Sequence, residues 1–223
     1  ISVLEDERTA NSQEATFAMS LVSCDEKGRK ALLQVESSVR LLVGLLNSPD
    51  GVVARFAAMA LGNLSLDEDG RETVADLQGG MAGLLKCVRT RDLDTQRFAL
   101  QAIGNMLFHP HARDVLLGTP GGLETMCEAL ESPNTNSARY AAGAFRNLVA
   151  DPRSRPRVLQ VQGIARTLEG LTQHKNSKVR EHSTAALSYI HSDGTTIPPI
   201  EMQRASQLSL TPSYGSRTQN TPS

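Results

Sequence analysis

The sequence has no tryptophan and only 4% aromatic residues in 223, too few large rings to fill one deep globular core. That scarcity suits thin layers of Leu, Val and Ala between helices. Cysteine is nearly as rare. Cys24, Cys87 and Cys127 are odd in number and lack framework spacing, which excludes a disulfide scaffold and fits a reducing compartment. An excess of either charge is also missing: 23 Lys and Arg face 24 Asp and Glu, a formal net charge of −1. Without a global basic field, nucleic acid is not an expected partner. No apolar run approaches the roughly 18 residues of a membrane span, and no signal peptide is visible. A cytoplasmic location is therefore expected, nuclear or membrane-tethered if a further segment directs it. Because the chain begins at Ile1 rather than Met, it is expected to be part of a longer one.

Catalytic chemistry is missing too. No nucleophile, base and orienting acid recur as a constellation, so the chain is not read as an enzyme and no cofactor is expected. His109-Pro110-His111 has no third ligand at metal-binding spacing. Gly79-Gly80 and Gly118-Thr119-Pro120-Gly121-Gly122 lack the lysine of a phosphate loop.

What the sequence does have is a period. Phe56-Ala57-Ala58-Met59-Ala60-Leu61-Gly62-Asn63-Leu64-Ser65 returns as Phe98 to Met106 and again as Tyr140 to Leu148, which places Asn63, Asn105 and Asn147 at intervals of 42. Such spacing marks a solenoid, whose units bury their apolar faces only by stacking. Four full periods are expected, 25–66, 67–108, 109–150 and 151–192, after a partial repeat that begins near residue 11 and a disordered lead-in over 1–10. Each period predicts three helices. A short one carries Arg29, Arg71, Arg113 or Arg155, a column read as inter-repeat ion pairs. A turn follows with Gly79, Gly121 or Gly163, matched by Ser37 in the first period, and then a second helix. The third and longest helix runs from about Val53 to Leu66 in the first period. Its Ala57 and Ala60, like Ala99 and Ala102 or Ala141 and Ala144, are three apart and share a face. Residues 193–223, rich in Ser, Thr and Pro, predict a disordered tail with Ser206, Thr211 and Thr221 as candidate phosphorylation sites.

This grammar resembles the armadillo repeat, and Ala60-Leu61-Gly62-Asn63-Leu64-Ser65 is most similar to the vacuolar-adaptor and armadillo-only branches. The resemblance implies an all-α, right-handed armadillo-type solenoid of about four full repeats plus the partial one. It further implies a scaffold or adaptor that binds an extended peptide along a concave face lined by third helices, with Asn63, Asn105 and Asn147 clamping the ligand backbone. A carboxamide can hold both groups of one peptide unit. Seven and eight residues before each Asn stand Phe56 with Arg55, Phe98 with Arg97, and Tyr140 with Arg139. At about 100° per residue the rings align with the Asn column and the arginines flank it, a ladder suited to acidic or phosphorylated ligands. Importin-type recognition of basic peptides is not expected. That groove carries Trp four residues before each Asn, where this chain has Met59, Gln101 and Gly143; Met59 and Gln101 join the ladder as candidate peptide-binding residues. Two alternatives stay open. The Asn column could tie down structure, with rings in the core and arginines paired to acids, or the chain could be the binding portion of a larger enzyme such as a ubiquitin ligase.

Overall fold

A computed structural model of the chain describes residues 2–192, with side chains from Asn11 onward except Glu36. Every regular element among them is an α-helix. Helix α1 (Ser2–Val22) leads into α2 (Glu26–Gln34), α3 (Glu36–Leu45) and α4 (Gly51–Leu64). The next unit holds α5 (Glu68–Asp76), α6 (Gly80–Val88) and α7 (Leu93–Met106), followed by α8 (Pro110–Gly118), α9 (Gly122–Leu130) and α10 (Thr135–Ala150). The last holds α11 (Arg155–Leu159), α12 (Ile164–Leu171) and α13 (Ser177–His191). Each 42-residue period thus contains three helices.

The lead-in expected over 1–10 is instead helical from Ser2, as part of α1. It contains no Gly or Pro, and its Leu, Glu, Arg and Ala residues carry little helical penalty, so the amphipathic helix downstream extends through it. The tail over 193–223, with Ser206, Thr211 and Thr221, lies outside the described residues.

The most intimate packing joins third helices to one another, α1 on α4, α4 on α7, α7 on α10 and α10 on α13. Small residues permit it: Ala57, Ala60, Ala99, Ala102, Ala141 and Ala144 are all buried. Leu61, Ile103, Phe145 and Leu187 then fill the layer between repeats, and Leu64, Met106 and Leu148 do so one turn later. Each contributes about 1.5–3 kcal/mol on burial.

A second column, one the period alone does not advertise, starts each third helix. Asp50, Asp92, Asn134 and Asn176 are N-caps at the same 42-residue spacing, and each side chain accepts from an amide of the first turn. The arginine column ties successive units as expected, though not always by charge. Arg29 meets Asp67 at 2.6 Å and Arg113 meets Asp151 at 3.2 Å. Arg71 donates to the carbonyls of Ser65 and Leu66, and Arg155 to those of Val149 and Ser192.

The turn between first and second helices needs glycine where the chain becomes left-handed, with φ of 86° at Gly79, 70° at Gly121 and 83° at Gly163. Ser37, their counterpart by spacing, lies instead inside α3. There α2 and α3 share the cap residue Val35 in extended conformation, and the Ser38 hydroxyl donates toward the Leu32 and Val35 carbonyls. In the last unit Pro152 and Pro156 leave the first helix only five residues long.

Candidate functional site

The third helices bring the predicted ladder to one layer but do not treat its rungs alike. Met59, Asn63 and Phe98 are only 5%, 4% and 7% exposed. They belong to the packing more than to an open face, a correction to their place in the ladder. Phe56 is half-buried with its ring 4.8 Å from that of Phe17 on α1. Arg55, Arg97, Gln101, Asn105, Arg139, Tyr140 and Asn147 all keep partial exposure.

The asparagines make a structural contact that spacing could not reveal. Near its C-terminus a helix leaves carbonyls without intrahelical partners. At the end of α4, Ser65 and Leu66 donate to Leu61 and Asn63, passing over Gly62; at the end of α7, Leu107 and Phe108 donate to Ile103 and Asn105, passing over Gly104. The next helix supplies the missing donors. Asn105 Nδ2 reaches the Gly62 carbonyl at 3.3 Å and Asn147 Nδ2 the Gly104 carbonyl at 2.9 Å. One unit earlier a hydroxyl intervenes: Asn63 Nδ2 donates to Ser23 Oγ at 3.0 Å, and Ser23 donates to the Ser20 carbonyl at 2.6 Å. Each carboxamide thus spends one N–H on the neighbouring repeat. Half-buried Asn105 retains its second N–H and its oxygen for other partners.

The arginines differ by what caps the next third helix. Arg55 makes two bonds to the N-cap Asp92, at 2.9 and 3.0 Å. Burial alone would raise the Asp92 carboxyl, but bonds from Thr95 and then from Arg55 outweigh it and hold the group below its ordinary value. One unit on, the residue 37 positions after Arg97 is the neutral Asn134. Arg97 turns to Asp94 on its own helix at 3.0 Å, its guanidinium 4.4 Å from the Phe98 ring centre and its Nε buried without a partner. The α7 to α10 link passes instead to Gln96, which accepts from the Ser137 hydroxyl at 2.5 Å. After Arg139 the cap is Asn176, again neutral. Arg139 stacks on Tyr140 at 4.6 Å and has no carboxylate within ion-pair distance among the described residues. Where the caps are Asn rather than Asp, neither arginine is held across the repeat boundary: Arg97 pairs within its own helix, and Arg139, among the described residues, is left with its ring alone.

Two residues outside the predicted ladder, His182 and Arg146, lie beside its last rung. His182 on α13 stands 42 residues after Tyr140 and is half-buried. Burial first, and the Arg146 charge second, lower its pKa to about 4, so it is neutral near pH 7. Its Nδ1 lies 3.2 Å from Arg146 Nη1. The exchange of Gly62 and Gly104 for Arg146 at the matching position was visible in the sequence, as was the Asp-to-Asn change among the caps.

Among the described residues no group of three or more His, Cys, Asp or Glu could hold a metal, and no helix is long and apolar enough to cross a membrane. His111, in the first turn of α8, lies 3.3 Å from Asp76. Burial raises the Cys87 and Cys127 thiols to about 11 and about 12, which leaves them protonated and unreactive.

No family model matches the sequence, and no curated protein does. Solved structures do. An engineered protein shares 26% identity over 80% of this chain and 72% of its own, with a TM-score of 0.74. A designed armadillo repeat protein in complex with the peptide (KR)4 superposes at TM-score 0.72 and 20% identity, over 80% of this chain and 74% of its own. The chain folds as an armadillo-type solenoid. A computationally designed armadillo repeat protein for modular peptide recognition aligns as well, with TM-score 0.72 at 19% identity over 79% of this chain and 74% of that one. Its armadillo architecture makes α4, α7, α10 and α13 the third helices of four repeats, and α1 that of the partial one.

Proposed function

We propose that the chain is a peptide-binding scaffold whose third-helix face takes an extended, acidic or phosphorylated segment of a partner protein. The carrying observation is the Arg139 guanidinium, stacked on Tyr140 without a carboxylate partner among the described residues, beside Arg97, stacked on Phe98 and held only by Asp94 of its own helix; the caps Asn134 and Asn176 are neutral and pair with neither. Ring stacking orients each guanidinium, and a planar guanidinium matches carboxylate or phosphate with two parallel bonds. Asn105 and Asn147 sit two turns along the same helical face from these rings, where a ligand's backbone would pass; Asn105 keeps its oxygen for that backbone, whereas Arg146 takes the oxygen of Asn147.

Designed neighbours in the same fold recognise peptides, one of them the basic (KR)4. The face described here carries the same sign of charge as that peptide, so the ligand expected for this chain has the opposite sign. Arg55, neutralised by Asp92, contributes to cohesion between repeats, and the working face runs over the second and third repeats. Isothermal titration of a peptide alternating Glu and Leu against (KR)4 tests the reading. Binding of the acidic peptide alone, weakened by Arg139→Glu, supports it; preference for (KR)4 would reject it.

A further inference from the structure

Where α4 and α7 carry Gly62 and Gly104, α10 carries Arg146, and the exchange puts a cation on the wall of a cavity. Arg146 Nε and Nη2 donate to Asn147 Oδ1 at 3.2 and 3.0 Å, and Nη1 faces His182 Nδ1 at 3.2 Å. Neither acceptor is charged. The one carboxylate lining the cavity, Asp151, is already taken by Arg113 at 3.2 Å and Arg153 at 2.9 Å. Glu181, which acts on Arg146 through space, bonds Lys178 at 2.7 Å.

The cavity measures about 350 Å³ and lies where the end of the second repeat meets the third and the fourth. Its wall combines Arg113, Arg146 and Arg153 with Asn147, the exposed Phe108 and the largely buried Tyr189. Three guanidiniums against one carboxylate leave a formal charge of +2, and the aromatic walls add apolar surface. Burial lowers the Arg146 guanidinium from its ordinary value, against the raising influence of Tyr189 and Glu181, as expected for a desolvated cation that gains from an anion.

We propose that this cavity receives a phosphate monoester carried on an aromatic stem, the chemistry of a phosphotyrosine side chain. A phosphate monoester carries about −1.5 to −2 at neutral pH, which matches the pocket's charge where a single carboxylate would not. The ring of the stem packs against Phe108 and Tyr189, and the phosphate meets Arg146 and Arg153. Asn147 belongs both to this cavity and to the ladder, so a peptide running along α10 can drop such a side chain into it. The source of the phosphate, a partner segment, rests on the peptide-scaffold reading; the cavity's ligand chemistry does not.

The test is an NMR titration of the full chain with phenyl phosphate, inorganic phosphate and phenol, following arginine Nε–H signals and the amides of residues 147–151. Phenyl phosphate is expected to shift these saturably and more tightly than inorganic phosphate, with phenol silent. Arg146→Gln, and Arg146→Gly which restores the residue of the earlier repeats, should each weaken phenyl phosphate by about tenfold or more, whereas Arg166→Gln on α12 should not. Unsaturable shifts spread over the surface, or equal binding by both Arg146 variants with folding intact, would overturn the proposal. A phosphotyrosine peptide separates the two readings. If it binds no better than phenyl phosphate and ignores Arg139→Glu, the pocket stands and the groove reading falls. If an Arg139-dependent acidic peptide binds while phenyl phosphate does not, the pocket falls and the groove stands.

Discussion

Asn147 Nδ2 donates to the carbonyl of Gly104 at 2.9 Å, across the boundary between two repeats. The contact makes the recurrent asparagine a C-cap supplied by the next helix, for a carbonyl that its own helix leaves unpaired.

Asn147→Ala should therefore cost stability before it costs binding. A net hydrogen bond is worth about 0.5–1.5 kcal/mol, and the orphaned carbonyl adds a further penalty to the extent that water cannot reach it. Asn105→Ala should cost less, because its bond is longer at 3.3 Å. Urea denaturation of both variants checks the order; an unchanged midpoint for Asn147→Ala would remove the capping role.

The arginine column should divide by function. Arg55→Ala breaks a half-exposed bidentate pair with Asp92 and is expected to lower stability by about 0.5–1 kcal/mol while leaving acidic-peptide affinity nearly intact. Arg139→Ala should do the reverse, with affinity falling about tenfold and little change in melting temperature. Paired melting and titration data on the two proteins decide it, and equal effects of both on affinity would contradict the division.

His182 should make stability depend on pH. Its folded pKa, about 4, lies below the ordinary value of 6.5, so between those values the unfolded chain binds a proton that the folded one refuses. Stability therefore falls as pH drops from 6.5 toward 4, by at most about 3 kcal/mol and by less after solvent screening. Denaturation midpoints across this window should slope for the native chain and flatten in His182→Gln. Parallel slopes would show that other groups carry the effect.

The fold was legible because its signals are local and repeated. Apolar spacing, small residues in the third helix and left-handed glycines recur every 42 residues, and each constrains its own helix or turn directly. The candidate face was only half legible. Helical angles place Met59, Asn63 and Phe98 in the ladder but do not show what covers them: α1 packs on α4, Asn63 donates to Ser23 just past α1, and the Arg97 guanidinium lies over the Phe98 ring. Pairing of Arg55 depended on a cap 37 residues away, whose column becomes meaningful only once helix starts are known. Ser37 misled for a related reason, since Ser38 and Val35 build a different turn where glycine is lacking.

Exchanging the caps tests the central claim most directly. Asn134→Asp and Asn176→Asp keep an N-cap oxygen but place a carboxylate 37 residues after Arg97 and Arg139, the separation at which Asp92 captures Arg55. Isothermal titration with the alternating Glu and Leu peptide should then show the double variant binding about tenfold or more weakly than the native chain, with melting temperature unchanged or raised. Undiminished affinity for the acidic peptide in a folded double variant would mean that the released guanidiniums do not hold the ligand.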